Sequence, residues 1–230
     1  PCPGNAASFT YITTSDLSAG TLPQNVFTSA NTDLGAQATY DGDFVDLDRD
    51  GRIDFFRTDG HHVEISGVDK NRNRIWMNKA CSGAGCEHGF KFVDETDTRL
   101  GATEPGALEF TWDDADYADV NEDGYVDIIL ASRTHGHPPD AQENVLLINR
   151  GGAQAGHFVA VKDETDPFPF FVGSTHDVEF GDVNDDGWVD IVEANEDTSS
   201  INYLYIHQGE LRPKTVGGIS VMVPVYKQIA

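Results

Sequence analysis

Positive charge is scarce in this chain. Lys and Arg number 15 against 39 Asp and Glu, giving a formal net charge of −24 over 230 residues. A surface this negative repels nucleic acid and anionic membranes, and it attracts divalent cations. Long apolar runs are missing too. No stretch approaches the ~18 residues of a membrane helix, so no membrane span is expected, and no signal peptide is visible. Pro1 at the start reads as a mature chain or a fragment. Cysteine is limited to three residues, and no C-x-x-C-H occurs, which argues against covalent haem. There is no G-x-S-x-G, no phosphate-binding glycine loop and no H-E-x-x-H, so no nucleophile or zinc-protease signature is present. Helical periodicity is nearly absent.

What is there supports a folded domain. Hydrophobic residues make up 39%, with 13 Phe, so the acidity is not a mark of disorder. The length suits one domain or a piece of a larger protein. Cys81 and Cys86 frame the loop "CSGAGC", which reads as a local disulfide and points to an oxidising compartment. A zinc corner of Cys81, Cys86 and His88 is the competing reading. Cys2 is left over.

The chain repeats itself. "DLDRDGRIDFF" from Asp46, "DVNEDGYVDII" from Asp119 and "DVNDDGWVDIV" from Asp182 all fit D-x-[DN]-x-D-G-x-x-D, with starts 73 and 63 residues apart. An aromatic stands two residues before each loop: Phe44, Tyr117 and Phe180. Further on come "NRIWMN", "NVLLIN" and "NYLYIH", then "FVDETD" and "AVKDETD" in the first two units. Val, Ile, Phe and Tyr fill these runs, with Gly, Asn and Asp between them. Each unit reads as about four short strands, the pattern of a β-propeller blade.

The acidic loop has the chemistry of a calcium site. Calcium takes oxygen ligands, and a short loop can wrap it with side chains at positions 1, 3 and 5, a carbonyl at 7 and a carboxylate at 9. Glycine at position 6 permits the sharp turn. The first loop offers Asp46, Asp48, Asp50, the Arg52 carbonyl and Asp54. The second offers Asp119, Asn121, Asp123, the Tyr125 carbonyl and Asp127. The third offers Asp182, Asn184, Asp186, the Trp188 carbonyl and Asp190. About three Ca²⁺ per chain are expected. Carboxylates so close repel one another unless a cation lies between them. Arg49 and Arg52 in the first loop point to a lower affinity there. A helix-flanked calcium hand is excluded, because position 12 is Arg57 or Leu130 in two loops and strand-like sequence follows all three. Glu193, the acid at position 12 of the third loop, is read as coincidence.

"FGDVNDDGWVDIVEAN", residues 180–195, resembles the FG-GAP repeat, also called the VCBS repeat, of integrin α-subunits, some lectins and bacterial surface proteins. "NVLLINRGG" and "FVAVKDETD" are similar to the linking segments of the bacterial members. The resemblance covers roughly residues 37–215. It implies an all-β chain of consecutive four-stranded β-propeller blades, with calcium held between the first and second strands of each blade. About three to four blades fit, as part of a larger propeller or assembly. Residues 1–230 are read as one β-propeller-type domain or fragment. Its repeats are near 37–100, 108–170 and 174–216, and 1–36 is the end of a preceding blade or a connector.

Other features have plainer readings. His61-His62 and His135-Gly136-His137 read as polar loop residues. Trp76 and Trp112 read as core, and Trp188 as the best aromatic for a sugar. Asp43, Asp116 and Glu179 read as a solvated face. The functional expectation is an extracellular, cell-surface or periplasmic module that binds protein or glycan, as in cell adhesion, with structural calcium. The alternative is a structural subunit, with other chains or further blades covering the open ends. A propeller-based hydrolase or lyase acting on polysaccharide, using His135, His137 and Asp140, is the third reading; an enzyme is not expected.

Overall fold

A computed structural model of the chain describes residues 27–28, 39–59, 64–65, 68–69, 73–83, 89–100, 112–132, 142–161, 172–196 and 201–229. The fold is all-β and consists of three antiparallel four-stranded units.

In blade 1, β2 (Thr39–Val45), β3 (Asp54–Asp59), β6 (Arg74–Ala80) and β7 (Phe90–Asp94) pair in chain order. A short strand β1 (Phe27–Thr28) joins β7 in parallel at the outer edge. It is the one described part of the segment 1–36. The ribbon of β4 (Glu64–Ile65) and β5 (Val68–Asp69) lies between β3 and β6 in sequence. Blade 2 is β8 (Trp112–Ala118), β9 (Asp127–Ser132), β11 (Val145–Asn149) and β12 (Phe158–Val161). A second ribbon pairs β10 (Gln142–Glu143) with β13 (Val172–Gly173). Blade 3 is β14 (Thr175–Gly181), β15 (Asp190–Asn195), β16 (Tyr203–Val216) and β17 (Ile219–Ile229). The third sheet therefore runs past residue 216. The long β16–β17 hairpin turns at Gly217-Gly218, both with positive φ, a backbone state that glycine adopts without a steric penalty.

"FVDETD" and the residues after it end blade 1 in a single helical turn, Thr96–Arg99. Thr96 anchors it: its Oγ1 accepts from the Ile75 N–H at 2.9 Å and donates to Asp94 Oδ1 at 2.6 Å. The corresponding "KDETD" of the second unit lies outside the described residues. Among the described residues no helix is long and apolar enough to cross a membrane.

The blades stack through their faces. The first strands lie side by side, β8 against β2 and against β14. One apolar cluster joins Leu47, Phe56, Ile75 and Met77 of blade 1 to Trp112, Ile128, Leu130 and Leu147 of blade 2. A second joins Val120, Ile129, Leu146 and Ile148 of blade 2 to Val178, Ile191, Tyr205 and Tyr226 of blade 3. Blade 2 is thus covered on both sides. Its strands β9 and β11 are buried at every position, which is why they read as unbroken apolar runs.

Candidate metal loops

All three acidic loops have one backbone design. Position 1 clasps the turn: Asp46 accepts from the N–H groups of Asp50 and Gly51 at 3.1 and 2.9 Å. Asp119 does the same for Asp123 and Gly124, at 3.0 and 2.8 Å, and Asp182 for Asp186 and Gly187, at 3.0 and 2.8 Å. Position 5 accepts from the N–H of position 7, at 2.9 Å in every loop. The Asn at position 3 joins the same turn, since Asn121 and Asn184 accept from the position-5 N–H at 3.1 and 2.9 Å. The turn needs two left-handed residues. Gly51, Gly124 and Gly187 have φ of 84°, 87° and 91°, and Arg49, Glu122 and Asp185 at position 4 have φ of 59°, 56° and 59°. The strain at position 4 is invisible in the sequence, because no glycine marks it.

In loop 1, three of the candidate side chains come together. One carboxylate oxygen each from Asp46, Asp48 and Asp50 lie within 4.8 Å of one another. Asp48 Oδ1 is buried and accepts no hydrogen bond. Burial and the neighbouring Asp50 raise the Asp48 pKa, and Arg99 and Lys79 oppose the rise. Asp123 is also raised, first by burial. An all-oxygen, carboxylate-rich set with an orphaned buried oxygen fits a hard divalent cation.

Position 9 has a structural task. Asp54, Asp127 and Asp190 are fully buried. One oxygen of each accepts the position-2 N–H: Leu47 at 3.0 Å, Val120 at 3.1 Å and Val183 at 3.1 Å. The other accepts from the last residue of the "NRIWMN"-type run: Asn78, Asn149 and His207, each at 2.8 Å. Each of these carboxylates therefore ties its loop to the third strand of its blade. Burial pushes Asp54 up to about 6 and Asp127 well above the carboxylate range.

The loops differ in their surroundings. Loop 1 is partly neutralised by the protein's own cations. Arg52 pairs with Asp50, Arg99 Nη2 lies 3.3 Å from Asp48, and Lys79 Nζ lies 4.0 Å from it. Arg99 and Lys79 were not legible as partners, because they lie 51 and 31 residues away. The Arg49 guanidinium leaves its own loop and sits over the Tyr125 ring of loop 2, 5.7 Å from its centre.

The remaining residues divide between kept and changed expectations. Glu193, read as a coincidence at position 12, has a place of its own: it is buried between blades, accepting from Tyr205 Oη at 2.7 Å and from the Asn144 amide. Asp116 is not simply solvated, since it accepts from the Phe180 N–H of blade 3 at 2.6 Å, and Asp114 accepts from Val178 at 3.0 Å. Burial, with Asp177 and Asp41 nearby, pushes Asp114 up to about 7. Glu179 is exposed, as expected. Trp76 and Trp112 are core, and Trp188 is half-buried, stacked 4.4 Å from the His207 ring of its own blade. Cys2, Cys86, His61, His62, His88, His135, His137 and Asp140 lie outside the described residues. The Cys81–Cys86 pairing and the histidine sites therefore stay as expectations.

Comparison with protein families matches residues 119–193 to the FG-GAP-like repeat. The matched segment runs from the first aspartate of loop 2 through the whole of loop 3, one full period of the internal repeat and the loop that opens the next. No curated protein matches the chain. Residues 119–193 of this all-β chain are an FG-GAP-like repeat.

Proposed function

We propose that the chain is a calcium-binding β-propeller module, secreted to the cell surface, the periplasm or the extracellular space, that engages a protein or glycan ligand. Calcium is structural in this reading. The observation that carries it is the convergence of Asp46, Asp48 and Asp50 within 4.8 Å, in a loop whose backbone plan recurs at Asp119 and Asp182. Side chains at positions 1, 3, 5 and 9 would hold the ion, with the Arg52, Tyr125 and Trp188 carbonyls. The ion supplies the positive charge that lets these carboxylates stay together. Extracellular modules of this chemistry bind calcium with Kd of roughly 10⁻⁴–10⁻³ M. The "CSGAGC" loop, read as a disulfide, supports an oxidising location.

Native mass spectrometry in calcium, and again after chelation, tests the metal reading. Up to three bound ions are expected, lost with chelator; no calcium adduct at millimolar calcium would overturn it. Binding to glycan and extracellular-protein panels, in calcium and in chelator, tests the ligand role. Binding present only in calcium is the expected result.

A further inference from the structure

The two blade interfaces inside this chain follow one plan. The position-2 residue of the leading blade's loop is sealed beneath the next blade: Leu47 is 0% exposed and Val120 1%. The aromatic two residues before the next loop, Tyr117 or Phe180, packs into the same cluster from the other side. Polar groups cross the boundary. Asn149 Nδ2 donates to the Leu47 carbonyl at 2.9 Å, and Asn121 Nδ2 donates to the Met222 carbonyl at 3.2 Å. His207, the counterpart of Asn149, has its ring against the Val120 backbone.

Among the described residues, the two outer blades carry the two unmatched halves of this plan. Blade 3 presents the leading half. Val183, the counterpart of Leu47 and Val120, is 53% exposed, and Val192, the counterpart of Phe56 and Ile129, is 39% exposed. Blade 1 presents the receiving half. Phe44, the counterpart of Tyr117 and Phe180, is 63% exposed. Asn149 divides its amide hydrogens between Val126 of its own loop and Leu47 of the blade before. Asn78, the counterpart of Asn149 in blade 1, donates one amide hydrogen to Ile53 of its own loop at 3.0 Å, as Asn149 does to Val126.

We infer that blade 3 of one copy takes blade 1 of a second copy, head to tail, through the interface that the chain already uses twice. Continuity with the internal interfaces identifies the occupant. Both complementary halves lie on this one chain, and each reproduces positions buried in the internal interfaces. Such a heterologous contact closes a ring or extends a filament, according to the rotation per copy. The net charge of −24 opposes it at low salt. Screening at physiological ionic strength, where the Debye length is about 8 Å, leaves the apolar contact to decide. The inference goes beyond the calcium reading and stands without it, because the contact is made by apolar side chains.

Sedimentation velocity on the full chain at physiological salt, from nanomolar to high micromolar, tests it in calcium and in chelator. Concentration-dependent association is expected. Val192→Glu and Phe44→Glu, both at exposed positions, should each be monomeric with an unchanged circular dichroism spectrum. Mixed together, they should form a one-to-one dimer, since one copy keeps the leading face and the other the receiving face. A wild-type monomer at every concentration overturns the proposal. So does association that survives both substitutions, or a mixture that stays monomeric.

Discussion

Asn149 gives its backbone N–H to Asp127 Oδ1 at 2.8 Å, 22 residues away, while Asp127 Oδ2 accepts from Val120 at 3.1 Å. One buried carboxylate therefore fixes both the acidic loop and the third strand. Asp127→Ala leaves two buried N–H groups without acceptors, at about 1–3 kcal/mol each. The loss of these hydrogen bonds should persist in chelator, and in calcium it should be larger by the contribution of the site, about 1.4 kcal/mol at ten times Kd. Urea unfolding in both conditions checks this; a loss confined to calcium would make Asp127 a ligand alone.

Lys79 stands 4.0 Å from Asp48 and 3.3 Å from Glu95. In the calcium reading, its charge would compete with an ion in loop 1. Lys79→Met should raise calcium affinity at that loop, by a few-fold at most, because a half-exposed pair contributes roughly 0.2–1 kcal/mol. Calorimetric titration reads the change, and a weakened site would contradict it.

Gly51 and Gly124 share a left-handed φ, but a Cβ on Gly51 meets nothing within 4 Å, and one on Gly124 lies 2.5 Å from Arg49 Nη1. Gly51→Ala should cost about 1 kcal/mol, from φ alone. Gly124→Ala should cost that and about 0.5 kcal/mol more, for the displaced guanidinium over Tyr125. Thermal melts of the two variants in chelator check the order.

Glu193 predicts a pH dependence. Burial raises its pKa from 4.5 to about 7, although hydrogen bonds from Tyr205 and Asn144 oppose the rise. The folded state therefore holds this proton more tightly than the unfolded chain. Its contribution is full below about pH 4.5 and is lost as pH rises to about 7. Glu193→Gln removes the titration and should flatten that part of the stability profile, with the largest gain over wild type above pH 7. A profile identical to wild type between pH 4.5 and 7 would show that the carboxyl does not titrate there.

Much of this was legible in the sequence because the repeat carries it. The loop spacing located the three acidic turns, and the runs after them located β3, β9 and β15. The rest depended on contacts between distant residues. Nothing near Glu193 in sequence announces Tyr205 or Asn144, so its burial between blades was hidden. Asp54, Asp127 and Asp190 were read as ligands from the loop pattern, while their bonds to the third strand come from residues 17 to 24 positions away. "ISVMVPVYKQI" lacks the loop motif, yet it completes blade 3 by pairing along most of β16.

The most direct test of the central claim is a thermal melt of the chain in millimolar calcium and in excess chelator. At ten times Kd each independent site contributes about 1.4 kcal/mol, so three contribute roughly 4. For a chain of this size that corresponds to a rise in Tm on the order of 10 °C. A rise of this order that magnesium does not reproduce supports calcium loops at Asp46, Asp119 and Asp182. An unchanged Tm would contradict the account and make the three loops acidic turns held by their hydrogen bonds alone.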